Sequence, residues 1–406
     1  MKRVVITGMG IWSSIGQDLN TVMENLKNGC SGVFYDSQRI EYGLQSGLTG
    51  NVPRPDLKPF LSRRARQMMS SDSEYAYMAA RQAFEQAEVS DDYRRQNNIG
   101  VILGNDGNSH ICDYAKIMDE THSSSYITYN AGFRSVTSSS VINLSSIFHL
   151  RGINFIVGAG CSSAGYAIGM AMMFIRQGLE NMILVGGSAN PTKELVSCVD
   201  ATMLSHNHNT SPEQASRPFD KDAGGVIFSG GAAMLVLEEY EHAIARGVPI
   251  LAEIIGFGYA RGGLEEVYLA DWQSDYRAMS MAIEDANIKS SDIDFIHSRA
   301  DSFPKSDQAE AIALQQLFCE NKKPISSTDS IAGHESWMAG ASRTIYSILM
   351  MHNNFIAPTL NLENPIEEAK GLNIVRSTTY IPLNTIMINA AGGGGTNCSI
   401  ILKKIK

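Results

Sequence analysis

Short, almost unbroken apolar runs alternate along this chain with longer amphipathic stretches. The first set is VVITGMG at 4–10, IGVILG at 99–104, NFIVGAG at 154–160 and MILVGGSA at 182–189. A second set follows as LAEIIGFGYA, DIDFIHSRA, PISSTDS and TIMINAAGGGG. Strands written as continuous Val/Ile/Leu runs belong to sheets covered on both faces, so the pattern predicts an α/β protein with helices on either side of its sheets. Between the sets, AAMLVLEEYEHAIARG at 232–247 reads as a strand passing into a helix, which leaves no floppy linker between halves.

A chain of 406 residues exceeds one ordinary core and predicts two units of similar size, 1–245 and 246–406. An internal echo supports them. NFIVGAGCSSAGYAIGMAMMFIRQG and PISSTDSIAGHESWMAGASRTIYSILMM each run from a strand, through glycine and one chemically capable residue, into a helix. Cys161 and His334 take the same place in the two, and a duplication would bring both helix N-termini toward one site.

Composition narrows the function. With 44% hydrophobic and 18% charged residues the chain reads as a globular protein with ample core, and its net charge of −9 argues against nucleic acid as a partner. No apolar run is long enough for a membrane span, and MKRVVITGMG reads as a strand rather than a signal peptide, which points to the cytoplasm. The six cysteines, at 30, 112, 161, 198, 319 and 398, contain no CxxC pair, so neither a disulfide framework nor a zinc site is expected. Five of them read as inert core residues. Cys161 does not. It stands between a strand with glycines and a helix start, where backbone N–H groups and the helix dipole favour a thiolate ready for acyl transfer.

These residues carry a resemblance. The opening VVITGMGIWSSIG, the elbow GAGCSSAGYAIG, SRPFDKDAGGVIFSGGAAMLVLEE at 216–239, AGHESWMAG at 332–340, YSILMMHNNFIAPTLNLE at 346–363 and NAAGGGGTNCSI at 389–400 resemble the β-ketoacyl-acyl carrier protein synthases of the thiolase superfamily. The resemblance spans nearly the whole chain. It implies a thiolase-like five-layered αβαβα fold from two similar halves, normally dimeric, with no cofactor and no metal.

Carried over residue by residue, Cys161 matches the acyl-accepting nucleophile and His334 the second of two histidines that hold the thioester oxygen. The first histidine falls on Arg299 in HSRADSFPKSDQAE, where Pro304, Asp307 and Glu310 set the register. His297 is two residues away, displaced by about two strand rises of ~3.3 Å, and reads as a structural neighbour. The family's two pantetheine-binding threonines fall on Asp301 and Phe303, and its lysine falls on Asp329. Opposite charges at these positions predict an Arg299–Asp329 ion pair that holds the pocket's shape.

The family's small residues after the histidine become Trp337 and Met338, which either occupy substrate volume or turn into the core. Its gating phenylalanine becomes Gly393, whose amide matches the second oxyanion-hole donor, in a four-glycine loop expected to be poorly preorganised. Arginine cannot shuttle a proton near neutral pH, and losing one transition-state donor costs on the order of 10²–10³ in rate. The substitutions together imply a degenerate, chain-length-factor-like subunit that shapes an acyl tunnel beside an active ketosynthase, possible in an aryl-polyene pathway, with acyl carrier protein as the other partner. The alternative is an active, divergent β-ketoacyl-ACP synthase that uses Cys161, His334 and Arg299. Classical chain length factors carry glutamine at the cysteine position, so Cys161 departs from them. It is either a packing relic or still an acyl acceptor by transthiolation.

Three surface features complete the reading. SSSYITYNAGFRSVTSSS at 123–140 is expected to reach toward the partner's tunnel. Arg63, Arg64 and Arg66 in SRRARQ would dock the acidic carrier protein by charge steering. His206 and His208 have an HxH spacing but no carboxylate or cysteine company, and read as a surface loop.

Overall fold

The computed structural model describes residues 1–201, 211–262 and 271–405. The apolar runs form two groups of five strands. In the first, β1 (Val4–Ser13), β2 (Gly100–Gly104), β3 (Asn154–Val157), β4 (Met182–Ala189) and β5 (Gly231–Glu239) lie in the spatial order β3-β2-β4-β5-β1. In the second, β6 (Ala252–Arg261), β7 (Phe295–His297), β8 (Pro324–Ser326), β9 (Thr385–Gly392) and β10 (Thr396–Lys403) lie in the order β8-β7-β9-β10-β6. Both order and direction repeat. In each group two pairings are parallel and two antiparallel, at matching places, so four strands run one way and one, β5 or β10, runs against them. A short antiparallel pairing of β1 with β6 joins the groups, and the two-residue strand Asn373–Ile374 extends the edge beside β8.

Helices α1 (Ser71–Gln86) and α2 (Ser139–Phe148) cover the outer face of the first group, and α4 (Trp272–Ala286) and α5 (Pro304–Phe318) that of the second. Between the groups lie α3 (Ser163–Arg176) and α6 (Ala339–Asn353), whose buried residues form the central core. This is the thiolase-like five-layered αβαβα arrangement. Its repetition reaches single residues. A Cβ on Gly10 would fall 2.1 Å from the Ala79 carbonyl oxygen, and one on Gly258 would fall 2.0 Å from that of Ala278, so in each half a glycine lets the first strand meet its outer helix. The central helices touch at a second such pair, where a Cβ on Gly340 would lie 2.5 Å from the Gly165 nitrogen.

Two expectations need correction. Cys161 lies two residues before α3, whereas His334 lies five before α6, with the single turn Ser336–Met338 in between, so the two are not equivalent in register. The extra turn lets the His334 backbone pair with a neighbouring segment: its N–H donates to the Ile227 carbonyl at 2.8 Å, and its carbonyl accepts from the Ser229 N–H at 2.8 Å. Of the five cysteines read as core, only Cys398 is buried. Cys30, Cys112, Cys198 and Cys319 are exposed, Cys112 on the helix His110–Thr121 and Cys198 on the helix Lys193–Asp200. Among the described residues no helix is long and apolar enough to cross a membrane.

Candidate active site

The strand β3 ends at Val157, and Gly158–Gly160 turn the chain into Cys161 ahead of α3. Gly160 sits at φ +57°, a left-handed conformation that glycine adopts without strain. Side chains lock this elbow. The Ser163 hydroxyl accepts from the Ala159 N–H at 2.8 Å and donates to the Gly160 carbonyl at 2.6 Å. The Ser162 and Thr396 hydroxyls donate to the Ala159 carbonyl at 2.6 and 2.8 Å, and Asp106 accepts from the Gly160 N–H at 2.8 Å. Cys161 itself is half-buried at the wall of a cavity of about 380 Å³.

Across this cavity stands His334, buried and hydrogen-bonded to Cys161. Its Nδ1 lies 2.9 Å from Asp329 Oδ2, which leaves Nε2 to face the thiol. Asp329 is held in turn by Arg343, whose guanidinium donates to Oδ1 at 2.6 Å. Burial alone would lower the imidazole pKa. Cys161 and Asp329, both hydrogen-bonded to the ring, outweigh burial and hold it well above the ordinary histidine value. The Asp329 carboxyl is lowered: burial opposes its charge, but Arg343 and His334 more than compensate.

The predicted Arg299–Asp329 pair does not form. Arg299 turns toward α4, where Nη2 and Nε donate to Asp275 at 2.6 and 3.2 Å and Nη1 donates to Ser306. The reason is competition: Asp329 already has Arg343 and His334, while Asp275 is buried with a charge to neutralise. Burial pushes Asp275 up to about 6 even beside the guanidinium. Sequence reading missed both Arg343 and Asp275. Each occupies a helical position with no motif of its own, and only the fold brings them to the site.

His297 is fully buried between the Ser347 and Thr328 hydroxyls, each at 2.9 Å. Burial, aided by the nearby Arg343 charge, pushes its imidazole down to about 3, so it is neutral.

Phe303, Trp337 and Gly393 line the cavity with Cys161, His334 and Arg299. Met338 does not; it is fully buried in the central core. The single turn at 336–338 points successive residues in different directions, so Trp337 takes the cavity and Met338 the core. Asp301 also borders the cavity, 4.0 Å from His334 Nδ1, and burial raises its carboxyl pKa. Cys198 lines the same cavity, although nothing in its sequence context marked it. The four-glycine loop closes as a tight turn. The Gly395 N–H donates to the Gly392 carbonyl at 3.2 Å, and Gly394 and Gly395 take φ of +88° and +78° in a tight turn between β9 and β10. A Cβ on Gly393 would meet nothing within 4 Å, so the cavity is open where a gating ring is absent.

On the surface, Arg63 and Arg64 are exposed and Arg66 half-buried on the helix Arg63–Gln67. Arg63 and Arg66 border a depression with Arg54 and Lys58. The 123–140 segment forms a turn at Ser124–Tyr126 and a short helix at Ala131–Arg134, with Tyr126 66% and Tyr129 76% exposed. The strand β3 is the edge of its sheet. His206 and His208 lie outside the described residues.

Residues 1–243 match the family Beta-ketoacyl synthase, N-terminal domain, and residues 251–363 match Beta-ketoacyl synthase, C-terminal domain. The chain is 34% identical over 410 residues to 3-oxoacyl-[acyl-carrier-protein] synthase 1 of Escherichia coli K12, with all of both chains covered. Among solved structures it superimposes on a beta-ketoacyl synthase from Burkholderia phymatum with a TM-score of 0.94 at 31% identity, again over all of both chains. The ishigamide ketosynthase/chain length factor shares the fold at TM-score 0.93 and 22% identity, over the full length of each chain. With both family domains present and full-length relatives above 30% identity, the chain belongs to the beta-ketoacyl synthase family.

Proposed function

We propose that this chain accepts acyl groups on Cys161 from a carrier-protein thioester but does not condense them by itself. In this reading it is the chain-length-factor-like half of a heterodimer with an active ketosynthase, in cytoplasmic fatty-acid or polyketide synthesis of the aryl-polyene type. One observation carries it: the Arg299 guanidinium is committed to Asp275 and Ser306, so among the described residues His334 is the one imidazole that lines the cavity with Cys161. Loss of carbon dioxide from a malonyl unit leaves an enolate oxygen that needs paired donors, and half of the pair is missing.

The cavity lining supports acyl acceptance: an acyl chain meets the apolar walls of Leu195, Val226, Phe228 and Trp337. The partner is supported by the edge position of β3 and by the exposed Tyr126, Tyr129, Phe133 and Val136, since an edge strand and exposed apolar side chains both invite another chain. The ishigamide ketosynthase/chain length factor is built on this fold. Arg63, Arg64 and Arg66 are the docking residues for the carrier protein, and the halves divide at 245/246.

The second reading, a self-sufficient synthase, is favoured by the intact Cys161–His334 contact and by relatives named 3-oxoacyl-[acyl-carrier-protein] synthase. Intact mass decides between the two. The chain, alone and with a ketosynthase partner, is exposed to acyl- and malonyl-carrier protein, with Cys161→Ala as control. The expected result is an acyl adduct on Cys161 and no β-ketoacyl product from this chain alone. Condensation product from the isolated chain, lost in Cys161→Ala, would overturn the proposal.

A further inference from the structure

We propose that Cys161, His334 and Asp329 act as nucleophile, base and orienting carboxylate in the hydrolysis of an acyl thioester, releasing the chain as a carboxylic acid. The proposal rests on acyl acceptance by Cys161 and adds the fate of the acyl group.

The arrangement is that of a nucleophile, a base in contact with it, and a third group that fixes the base. Asp329 Oδ2 at 2.9 Å from Nδ1 sets the ring's tautomer and orientation and presents Nε2 to the thiol. A lysine at position 329 would repel the imidazolium that a thiolate requires; a carboxylate stabilises it. Arg343 at 2.6 Å and the Asp329 backbone N–H, which donates to the Ser327 hydroxyl at 3.3 Å, hold that carboxylate in place. Asp329 is therefore a positioning residue, while Cys161 and His334 meet the substrate. With condensation lacking its second imidazole, these three side chains still suffice for acyl transfer to water.

The steps balance. The Cys161 thiolate attacks the thioester carbonyl, an Sγ–C bond forms, and the bond to the pantetheine sulfur breaks. The imidazolium proton goes to the departing thiolate. The acylated sulfur carries no charge, and Nε2, having given up its proton, is free to act as a base. Water then adds to the acyl carbon as Nε2 takes its proton, the C–Sγ bond breaks, and the proton returns to the sulfur. Cys161 and Gly393 both line the cavity, and their amides would serve as the donors to the oxyanion. The missing side chain at Gly393 gives water a way in.

The test uses the full chain and an octanoyl-pantetheine thioester, reading octanoate release together with the lifetime of the Cys161 adduct by mass. Release should depend on Cys161 and should rise with pH to a plateau as the acyl-enzyme imidazole loses its proton. The groups that set that midpoint are Asp329 and Asp301 beside the ring, Arg343 behind Asp329, and Arg299 behind Asp301. Asp329→Asn should slow release by roughly 10³-fold and move the midpoint to lower pH, because the ring loses its orienting charge. If that variant does not fold, the wild-type profile decides: a plateau supports the proposal, and a rate that climbs with hydroxide without limit overturns it. An adduct as long-lived as the free thioester overturns hydrolysis but leaves acyl acceptance standing. Absence of any adduct overturns both. Unchanged release and midpoint in Asp329→Asn would remove Asp329 from the relay.

Discussion

Arg299 and Asp275 form a buried ion pair at 2.6 Å, which ties a cavity-lining guanidinium into the scaffold. Removing one member of such a pair leaves an uncompensated charge, whereas apolar replacement of both is close to neutral. Arg299→Met is expected to lower stability by about 3–5 kcal/mol. Arg299→Met with Asp275→Leu should recover most of that loss. Denaturant midpoints of the singles and the double close the cycle, and additive losses would contradict the pairing.

Glu335 is buried beside Tyr346, whose hydroxyl donates to Oε1 at 2.8 Å, and burial pushes its carboxyl up to about 7 from 4.5. The folded chain therefore keeps a proton that the unfolded chain has lost between those values. Stability from this group is full below the unfolded pKa and falls by about 1.4 kcal/mol per pH unit until the pH passes the folded one. Glu335→Gln should flatten that part of the profile and raise Tm relative to wild type at about pH 8. Thermal melts from about pH 5 to about pH 8 check it; equal slopes would place the proton elsewhere.

Two cavity variants should move in opposite directions. Gly393→Phe places a ring in open space at a backbone position without left-handed strain, so the fold is kept while the mouth narrows and deacylation slows. Trp337→Leu removes an aromatic wall and should admit longer acyl chains. The chain-length distribution of Cys161 adducts, from a mixture of acyl-pantetheine thioesters, reads both. An unchanged distribution in Trp337→Leu would mean that the chain lies along another wall.

Reversing charge at Arg63, Arg64 and Arg66 to glutamate should slow acyl loading from carrier protein by about tenfold or more at low salt, since steering acts on encounter. Loading from a small pantetheine thioester should stay unchanged, and salt should shrink the difference. An equal loss with both donors would point to damage rather than docking.

The strands were legible because buried strands are written as Val/Ile/Leu runs; their spatial order was not. Cys161 and His334 stood out because glycine-rich turns before helices announce themselves. The side-chain partners did not. Whether Arg299 meets Asp329 or Asp275 depends on which carboxylate already has a counter-charge, and that was decided by Arg343, in mid-helix with no motif around it. The Trp337/Met338 choice likewise turned on a single turn of helix whose phase is not written in two adjacent apolar residues.

The edge strand β3 ends at Val157, and four residues later comes Cys161. Any chain that zips onto that edge therefore grips the same short segment from which the thiol hangs. Assembly and reactivity become one variable: a partner that straightens or twists the edge also re-aims Cys161 against His334. The acyl chemistry of the free chain and of the complex should then be measured as two different catalysts.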